Sequence, residues 1–219
     1  MTVRLAIFDC DGTLVDSQHS IVAAMRGAFD AAALPYPDRA QILSIVGLSL
    51  PNAMARLLPD ADADLHEAMV GHYKSCFFEM RASGALREPL YEGVTDLLDA
   101  LDAQGWLLAV ATGKSDRGLA AVLAHHGLSD RFVSLQTADR HPSKPHPSMI
   151  ETALAEAGAR REHAVMIGDT SFDMLMARAA DVAALGVGWG YHAPGELIAA
   201  GARSVAMDSA ELARHIGLP

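Results

Sequence analysis

The stretch LAIFDCDGTL (residues 5–14) organises the rest of the chain, because a short apolar run leads directly into two carboxylates and a glycine. The apolar part is typical of a strand that is buried on both faces of a parallel sheet. Side chains alternate along a strand, so Asp9 and Asp11 point the same way while Cys10 points to the opposite side. Gly12 allows the chain to turn sharply where the strand ends. We therefore expect two acids in one small space, held together by a divalent metal, a shared proton or a nearby lysine.

Length and composition set the scale of the fold. With 219 residues the chain is long enough for one sizeable domain, or for a core domain that carries a smaller insertion, and its 51% hydrophobic content is sufficient for a packed core. The net charge of -10 argues against nucleic acid or an anionic membrane as a partner, because both select basic surfaces. An anionic substrate must then be held by local positive charge, from a metal or a few lysines.

Cysteine content and the first residues indicate the compartment. Cys10 and Cys76 are too few for a disulfide framework. No charged, apolar and cleavable leader precedes Val3, so we expect a cytoplasmic protein. Cys10 is interpreted as a small buried hydrophobe rather than a reactive thiol, because free cysteine is most often part of a core.

Residues 15–86 carry helical patterns, with apolar residues recurring at helical spacing. The N-cap candidates of four successive helices are Asp16 or Ser17, Asp38, Ser49 and Asp64. Because this run contains no convincing strand pattern, we expect a helical cap over residues 15–86. The cap is inserted into an α/β core made of residues 1–14 and 87–219.

From residue 87 onward, strand and helix patterns alternate, which is typical of a doubly wound α/β fold with a parallel sheet. The predicted strands after the first are Trp106–Ala111, Phe132–Leu135, Ala164–Ile167, Val182–Val187 and a weak one at Ser204–Ala206. In such sheets, ligands bind outside the C-terminal ends of the strands. The polar residues that follow strands, or lie in the loop beyond one, are Asp9, Asp11, Thr112, Lys144 and Asp169. We therefore expect a site assembled from four separated loops.

Four short motifs resemble those of the haloacid dehalogenase-like superfamily, in the same order along the chain. They are DCDGTL (residues 9–14), ATGK (111–114), KP (144–145) and GDTSFD (168–173). The helical segment between the first two motifs, together with the run KPHP (144–147), most resembles phosphoglycolate phosphatase-like enzymes with a helical C1 cap. The resemblance implies a Rossmann-like α/β core and a hydrolase of phosphoric monoesters.

The resemblance also implies a role for each motif residue. Asp9 is the nucleophile that forms an aspartyl-phosphate, and Asp11 is the acid that protonates the leaving alcohol and then, as a base, activates water. Thr112 offers a hydroxyl and Gly113 a backbone amide to the phosphate oxygens, while Lys144 serves both the phosphate and the nucleophile. Together these groups supply what phosphoryl transfer needs, namely an in-line nucleophile, charge neutralisation and a proton source.

Mg2+ is the cofactor that the resemblance implies, and it suits a site where both the carboxylates and the substrate are anionic. Its protein ligands in the family pattern would be Asp9, the backbone carbonyl of Asp11, and Asp169. Asp173 would support the metal from close by, directly or through water.

Several other polar residues receive a structural interpretation. Lys114 follows the phosphate-binding threonine and is expected to face solvent. Lys74 is interpreted as a surface lysine on a helix rather than as the Schiff-base lysine of some relatives, because those relatives usually lack an acid where Asp11 stands. His141 and His146 are expected to be solvated loop residues.

The leading hypothesis is a Mg2+-dependent hydrolase of a small phosphate monoester, similar to phosphoglycolate phosphatase. A sugar-phosphate mutase resembling β-phosphoglucomutase is the alternative, although similar mutases often carry valine where Thr13 stands. A phospho-acceptor signalling module is disfavoured by the acid after the first strand and by the helical insertion, and a non-catalytic relative by the intact set of acids and lysine. We expect a small phosphorylated metabolite as partner, no nucleic acid, no membrane, and a monomer or homodimer.

Overall fold

The computed structural model describes residues 2–218 and contains one parallel sheet of six strands. The strands are β1 (Arg4–Phe8), β2 (Trp106–Thr112), β3 (Ser134–Thr137), β4 (Ala164–Gly168), β5 (Ala183–Val187) and β6 (Val205–Ala206). Their order across the sheet is β3-β2-β1-β4-β5-β6. The predicted doubly wound α/β fold is confirmed, and β1 lies in the middle of the sheet.

Helices cover both faces of this sheet. The core helices are α5 (Val94–Ala103), α6 (Asp116–His125), α7 (Ser148–Ala157), α8 (Ser171–Ala179), α9 (Pro194–Ala200) and α10 (Ser209–Ile216), numbered after four earlier helices given below. Apolar side chains of α5, α6 and α10 pack on one face of the sheet, and apolar side chains of α7, α8 and α9 pack on the other. Because β1 is covered on both sides, its alternate residues enter both apolar layers, with Phe8 in one and Ile7 in the other.

The four earlier helices form a separate apolar cluster. They are α1 (Gln18–Ala31), α2 (Arg39–Leu43), α3 (Leu50–Leu57) and α4 (Ala63–Ala82). Buried side chains from these helices, such as Met25, Phe29, Met54 and Met69, pack against one another. Helix α1 contacts α4 along its length because both present apolar residues at helical spacing.

Two extended segments connect this helical part to the sheet. The backbone amide of Asp16 donates to the carbonyl of Pro89 at 2.8 Å, and the amide of Tyr91 donates to the carbonyl of Leu14 at 3.0 Å. The outgoing and returning chains therefore run side by side in an antiparallel pair. The paired segments lie at the predicted boundaries between the helical cap (residues 15–86) and the α/β core. These domain boundaries stay a prediction.

Some predicted boundaries differ from the structure. Strand β3 begins at Ser134 and not at Phe132, because Phe132 packs into the core under the sheet while Ser134 pairs with Ala109 of β2. Helix α4 begins after Asp62, whose carboxylate accepts from the amide of Leu65 at 2.9 Å, and not at Asp64. Among residues 2–218, no helix is both long enough and apolar enough to cross a membrane.

Candidate active site

Asp9 lies immediately after β1, at the carboxyl edge of the sheet, and its side chain is buried. Its Oδ1 atom accepts from the backbone amide of Cys10 at 2.7 Å and from Nζ of Lys144 at 2.9 Å. Its Oδ2 atom is buried and accepts no hydrogen bond from any residue between 2 and 218. Unpartnered buried carboxylate oxygens are costly, so this atom is available for a ligand. Cys10 is itself fully buried in the apolar core, as expected.

Lys144 reaches the same point from the loop after β3. Its ammonium group is sealed from solvent and bonds Oδ1 of Asp173 at 2.6 Å as well as Asp9. Burial alone would lower the pKa of Lys144, but the carboxylates of Asp173 and Asp9 outweigh it and raise the pKa above its ordinary value. Lys144 is therefore held as a cation between two acids.

Asp169 lies in the connection between β4 and α8, Asp173 lies in the first turn of α8, and both are fully buried. Asp169 accepts from the hydroxyl of Thr13 and from the backbone amide of Tyr191, each at 2.9 Å. Asp173 accepts from the amide of Thr170 at 3.0 Å and from its hydroxyl at 2.7 Å, which closes a capping box at the start of α8. Both carboxylates are thus fixed in direction by groups of the core.

Three of these acids form one cluster. Asp9, Asp169 and Asp173 each place a carboxylate oxygen within 4.8 Å of the others. Burial raises the pKa of Asp9 to about 7, although the charge of Lys144 partly offsets the effect of burial. Burial, together with the charges of Asp9 and Asp173, raises the pKa of Asp169 well above its usual range. A hard divalent cation fits this set, because all the donors are carboxylate oxygens, one of them has no partner, and one lysine does not balance three acids.

Glycines around Asp169 explain how the cluster packs so closely. A Cβ on Gly12, whose φ is 86°, would stand 2.1 Å from Oδ2 of Asp169. A Cβ on Gly190 would stand 2.2 Å from the Cβ of Asp169. Only residues without a side chain allow both backbone segments to approach this carboxylate.

Thr112 and Gly113 lie at the carboxyl end of β2, as predicted. The hydroxyl of Thr112 is buried and accepts from the backbone amide of Lys114 at 3.2 Å. A Cβ on Gly113 would stand 2.6 Å from the carbonyl oxygen of Leu48 and 2.7 Å from that of Gly47. The loop between α2 and α3 therefore rests directly on this part of the sheet edge. The same loop is fixed by the hydroxyl of Ser143, which accepts from the amide of Ser49 at 2.8 Å.

The carboxylate of Asp11 is not part of the three-acid cluster. Its Oδ1 atom bonds Nζ of Lys114 at 2.9 Å and accepts from the hydroxyl of Ser17. The resemblance implies that Asp11 binds the metal through its backbone carbonyl. The direction of its side chain does not test that role, which stays a prediction. Ser17 stands at the N-cap position of α1, but its hydroxyl forms no cap hydrogen bond because Asp11 engages it.

The expectation that Lys114 faces solvent is wrong. Only 9% of its side chain is exposed, and its ammonium group lies between Oδ1 of Asp11 and Oε1 of Glu88, at 2.9 and 2.8 Å. Glu88 carries no motif or periodic signal in the sequence, so this partner was not predicted. The interpretation of Lys74 as a surface lysine on a helix is confirmed. The expectation that His141 is solvated is wrong, because its half-buried ring bonds the side chains of Gln136 and Ser148.

A cavity of about 520 Å³ lies between the four-helix part and the carboxyl edge of the sheet. Its floor contains Asp9, Asp11, Thr112 and Gly113. Its remaining walls combine apolar, aromatic and cationic side chains, including Ile21, Met25, Ile45, Tyr73, Lys74, Phe77, Phe78, Arg81, Lys114 and Arg117. The volume suits a small organic ligand.

A wider open depression of about 1010 Å³ lies at the opposite edge, where β1, β2, β4 and β5 begin. No residue of the four motifs lines this depression. Ligands of open α/β sheets bind at the carboxyl edge, which is the other edge of the sheet. We therefore assign the chemistry to the smaller cavity.

Comparisons with known proteins show the family of the chain. Residues 6–187 match the family model described as haloacid dehalogenase-like hydrolase, so the chain belongs to that family, and the resemblance drawn from the four motifs is confirmed. The chain is 39% identical over 202 residues to the probable phosphatase IndB of Dickeya dadantii, covering 90% of this chain and 86% of that protein. It is 34% identical over 196 residues to the phosphoglycolate phosphatase of Agrobacterium fabrum, covering 85% and 81%.

Solved structures agree with the fold. The crystal structure of a hydrolase from Pseudomonas syringae superimposes with a TM-score of 0.86 at 27% identity, and the match covers 99% of this chain and 98% of that one. The sheet and the four-helix part are therefore shared by that enzyme.

Proposed function

We propose that this hydrolase is a Mg2+-dependent phosphatase of small phosphate monoesters that works through an aspartyl-phosphate on Asp9. The observation that carries the proposal is the buried, unpartnered Oδ2 of Asp9, on the floor of a cavity and beside a fixed lysine and two further acids. The relatives named as a probable phosphatase and a phosphoglycolate phosphatase support the same class of substrate.

The three-acid cluster would hold the metal. Asp9 and Asp169 would provide carboxylate ligands and Asp11 its backbone carbonyl, with Asp173 close by as a direct or water-mediated partner. When bound, Mg2+ supplies positive charge that allows an anionic phosphate to approach anionic carboxylates.

In the first step the carboxylate of Asp9 attacks phosphorus. A phosphorus–oxygen bond forms to Asp9, and the bond between phosphorus and the ester oxygen breaks with its electron pair going to that oxygen. The protonated carboxyl of Asp11 gives its proton to the leaving oxygen, so the alcohol departs neutral. The Lys144 ammonium group holds Asp9 in place during this step.

In the second step water attacks the phosphorus of phospho-Asp9. The carboxylate of Asp11 takes a proton from that water, the bond between phosphorus and Asp9 breaks, and inorganic phosphate leaves. Asp9 is again a carboxylate and Asp11 is again protonated, so the cycle closes. Thr112 and the amide of Gly113 would donate to the phosphate oxygens in both steps.

The four-helix part would serve as a cap over the reacting groups. Its loop at residues 47–49 already rests on Gly113 and Ser143, which is a position that excludes bulk water from Asp9. We further propose a cytoplasmic enzyme that acts on a small phosphorylated metabolite, such as phosphoglycolate, and needs neither nucleic acid nor a membrane.

The test is phosphate release from a panel of small monoesters, including phosphoglycolate and hexose phosphates, with and without Mg2+. We expect metal-dependent release by the wild type and none by Asp9→Asn. Equal release by both proteins would remove Asp9 as the nucleophile. Isomerisation of a hexose phosphate without release would instead indicate a mutase.

A further inference from the structure

Lys114 is a buried ammonium group placed between two carboxylates that come from different parts of the chain. Its Nζ atom lies 2.9 Å from Oδ1 of Asp11 and 2.8 Å from Oε1 of Glu88. It also lies 5.7 Å from the centre of the Phe77 ring on α4.

Glu88 extends this arrangement to the four-helix part. Its second carboxylate oxygen lies 3.6 Å from the guanidinium of Arg81, in the last turn of α4. Basic and acidic side chains thus alternate along a row of four residues, Arg81, Glu88, Lys114 and Asp11. This row of side chains begins at Arg81 on α4 of the proposed cap and passes through Glu88, in the segment that leads from α4 back to the sheet. It ends at Asp11, the proposed proton donor.

The two oxygens of Asp11 have different surroundings. Oδ1 is held by both Lys114 and Ser17. Oδ2 accepts no hydrogen bond within the part of the chain that the structure describes, and 12% of the side chain is exposed where Asp11 lines the cavity. One oxygen is therefore fixed, and the other has no partner in a side chain that lines the cavity.

We propose that Lys114 is a positioning residue that holds Oδ1 of Asp11, so that Oδ2 exchanges the proton with the leaving oxygen and with water. The inference rests on the proposed function. In the first step the proton leaves Oδ2 for the ester oxygen as the bond from that oxygen to phosphorus breaks, and in the second step Oδ2 recovers a proton from the attacking water. Because Lys114 is also bonded to Glu88, the direction of the Asp11 side chain depends on the position of the segment that contains Glu88 and leads from α4 back to the sheet.

The test uses two esters of nearly equal shape, phenyl phosphate and 4-nitrophenyl phosphate. Protonation of the leaving oxygen matters for phenolate, which is a poor leaving group, and hardly for 4-nitrophenolate. The parameter is kcat/KM, because it reports the steps up to departure of the alcohol. With Lys114→Met we expect kcat/KM to fall about 10–100-fold for phenyl phosphate and less than about threefold for 4-nitrophenyl phosphate.

A matched control is Arg131→Met. Arg131 is also a cation that bonds two carboxylates, those of Asp99 and Asp102, and it lies outside the cavity. We expect the ratio of the two kcat/KM values to stay at that of the wild type. Glu88→Gln keeps Lys114 and weakens only its contact with residue 88. It should change the ratio of the two kcat/KM values in the same direction as Lys114→Met, by a smaller factor. This variant tests the inference if Lys114→Met does not fold.

Combination with Asp11→Asn separates positioning from other roles. If Lys114 acts through Asp11, adding Lys114→Met to Asp11→Asn produces no further loss with phenyl phosphate. Equal losses for both esters, or full additivity in the double variant, would overturn the inference while wild-type turnover still supports the proposed function. Absence of Mg2+-dependent turnover by the wild type would overturn the proposed function, and the inference with it.

Discussion

Nζ of Lys144 lies 2.9 Å from Oδ1 of Asp9, and both side chains are sealed from solvent. The same nitrogen bonds Asp173, so one lysine faces the acid cluster formed by Asp9, Asp169 and Asp173. A buried ion pair that loses one partner leaves an uncompensated charge, which is among the most destabilising changes a core can undergo.

Lys144→Met should therefore lower the free energy of unfolding by about 3–5 kcal/mol at pH 8 in the absence of metal. Urea denaturation with chelator present measures this. Lys74→Met is the control, since Lys74 is exposed on the cavity wall and should change stability by no more than about 0.5 kcal/mol. Equal unfolding curves for the two variants would contradict the view that Lys144 balances the acid cluster.

The raised pKa of Asp9 predicts how stability depends on pH. The folded protein releases this proton near pH 7, whereas the unfolded chain releases it near 3.8, so the folded state binds more protons between these values. Stability contributed by Asp9 therefore falls as pH rises through this window. Asp9→Asn does not titrate, so the melting temperature of the variant in chelator, measured relative to that of the wild type, should rise from pH 5 to pH 8.

Differential scanning calorimetry of both proteins measures this difference, at about 2–4 °C for each kcal/mol in a chain of this size. Added Mg2+ should reduce the difference at pH 8, because it stabilises the wild type more than a variant that lacks one carboxylate. A constant difference across this pH range, unaffected by Mg2+, would show that Asp9 is not the group that titrates.

The contact between the loop at residues 47–49 and Gly113 predicts the effect of a single methyl group. Gly113→Ala would place a Cβ within 2.7 Å of two loop carbonyl oxygens, so the loop must move away from the sheet edge. We expect kcat/KM for phenyl phosphate to fall about 10–100-fold, because the reacting groups lose alignment.

Gly71→Ala is the matched change elsewhere. Gly71 lies within α4 with nothing near its Cβ position, so alanine should stabilise the protein by about 0.5–1 kcal/mol and leave turnover unchanged. Wild-type kcat/KM in Gly113→Ala would mean that the loop position is irrelevant to catalysis.

The fold and most of the site could be predicted because both depend on short-range patterns. The continuous apolar run at residues 5–8 indicates a buried strand, and polar residues after parallel strands meet at one edge, which is where Asp9, Thr112 and Asp169 lie. Phe132 was wrongly predicted to begin β3. An apolar residue that packs into the core just before a strand cannot be distinguished by pattern from one that begins the strand.

Contacts between distant polar residues could not be predicted. Lys114 was expected in solvent because its partner Glu88 lies in an irregular segment with no periodicity. Ser17 has the residue type and position of an N-cap, and nothing in the local sequence indicates that Asp11 takes its hydroxyl instead. Such bonds depend on how the four helices sit on the sheet, which local patterns do not encode.

Trapping the phosphorylated enzyme tests whether Asp9 is the nucleophile. Asp11→Asn with 4-nitrophenyl phosphate and Mg2+ should release about one 4-nitrophenolate per enzyme and then stall, because this leaving group needs no acid while hydrolysis of phospho-Asp9 lacks its base. Acid quenching, borohydride reduction and peptide mass spectrometry should then reveal homoserine at position 9. Release of 4-nitrophenolate with Asp9 unmodified, or with homoserine at the position of another aspartate, would show that Asp9 is not the nucleophile.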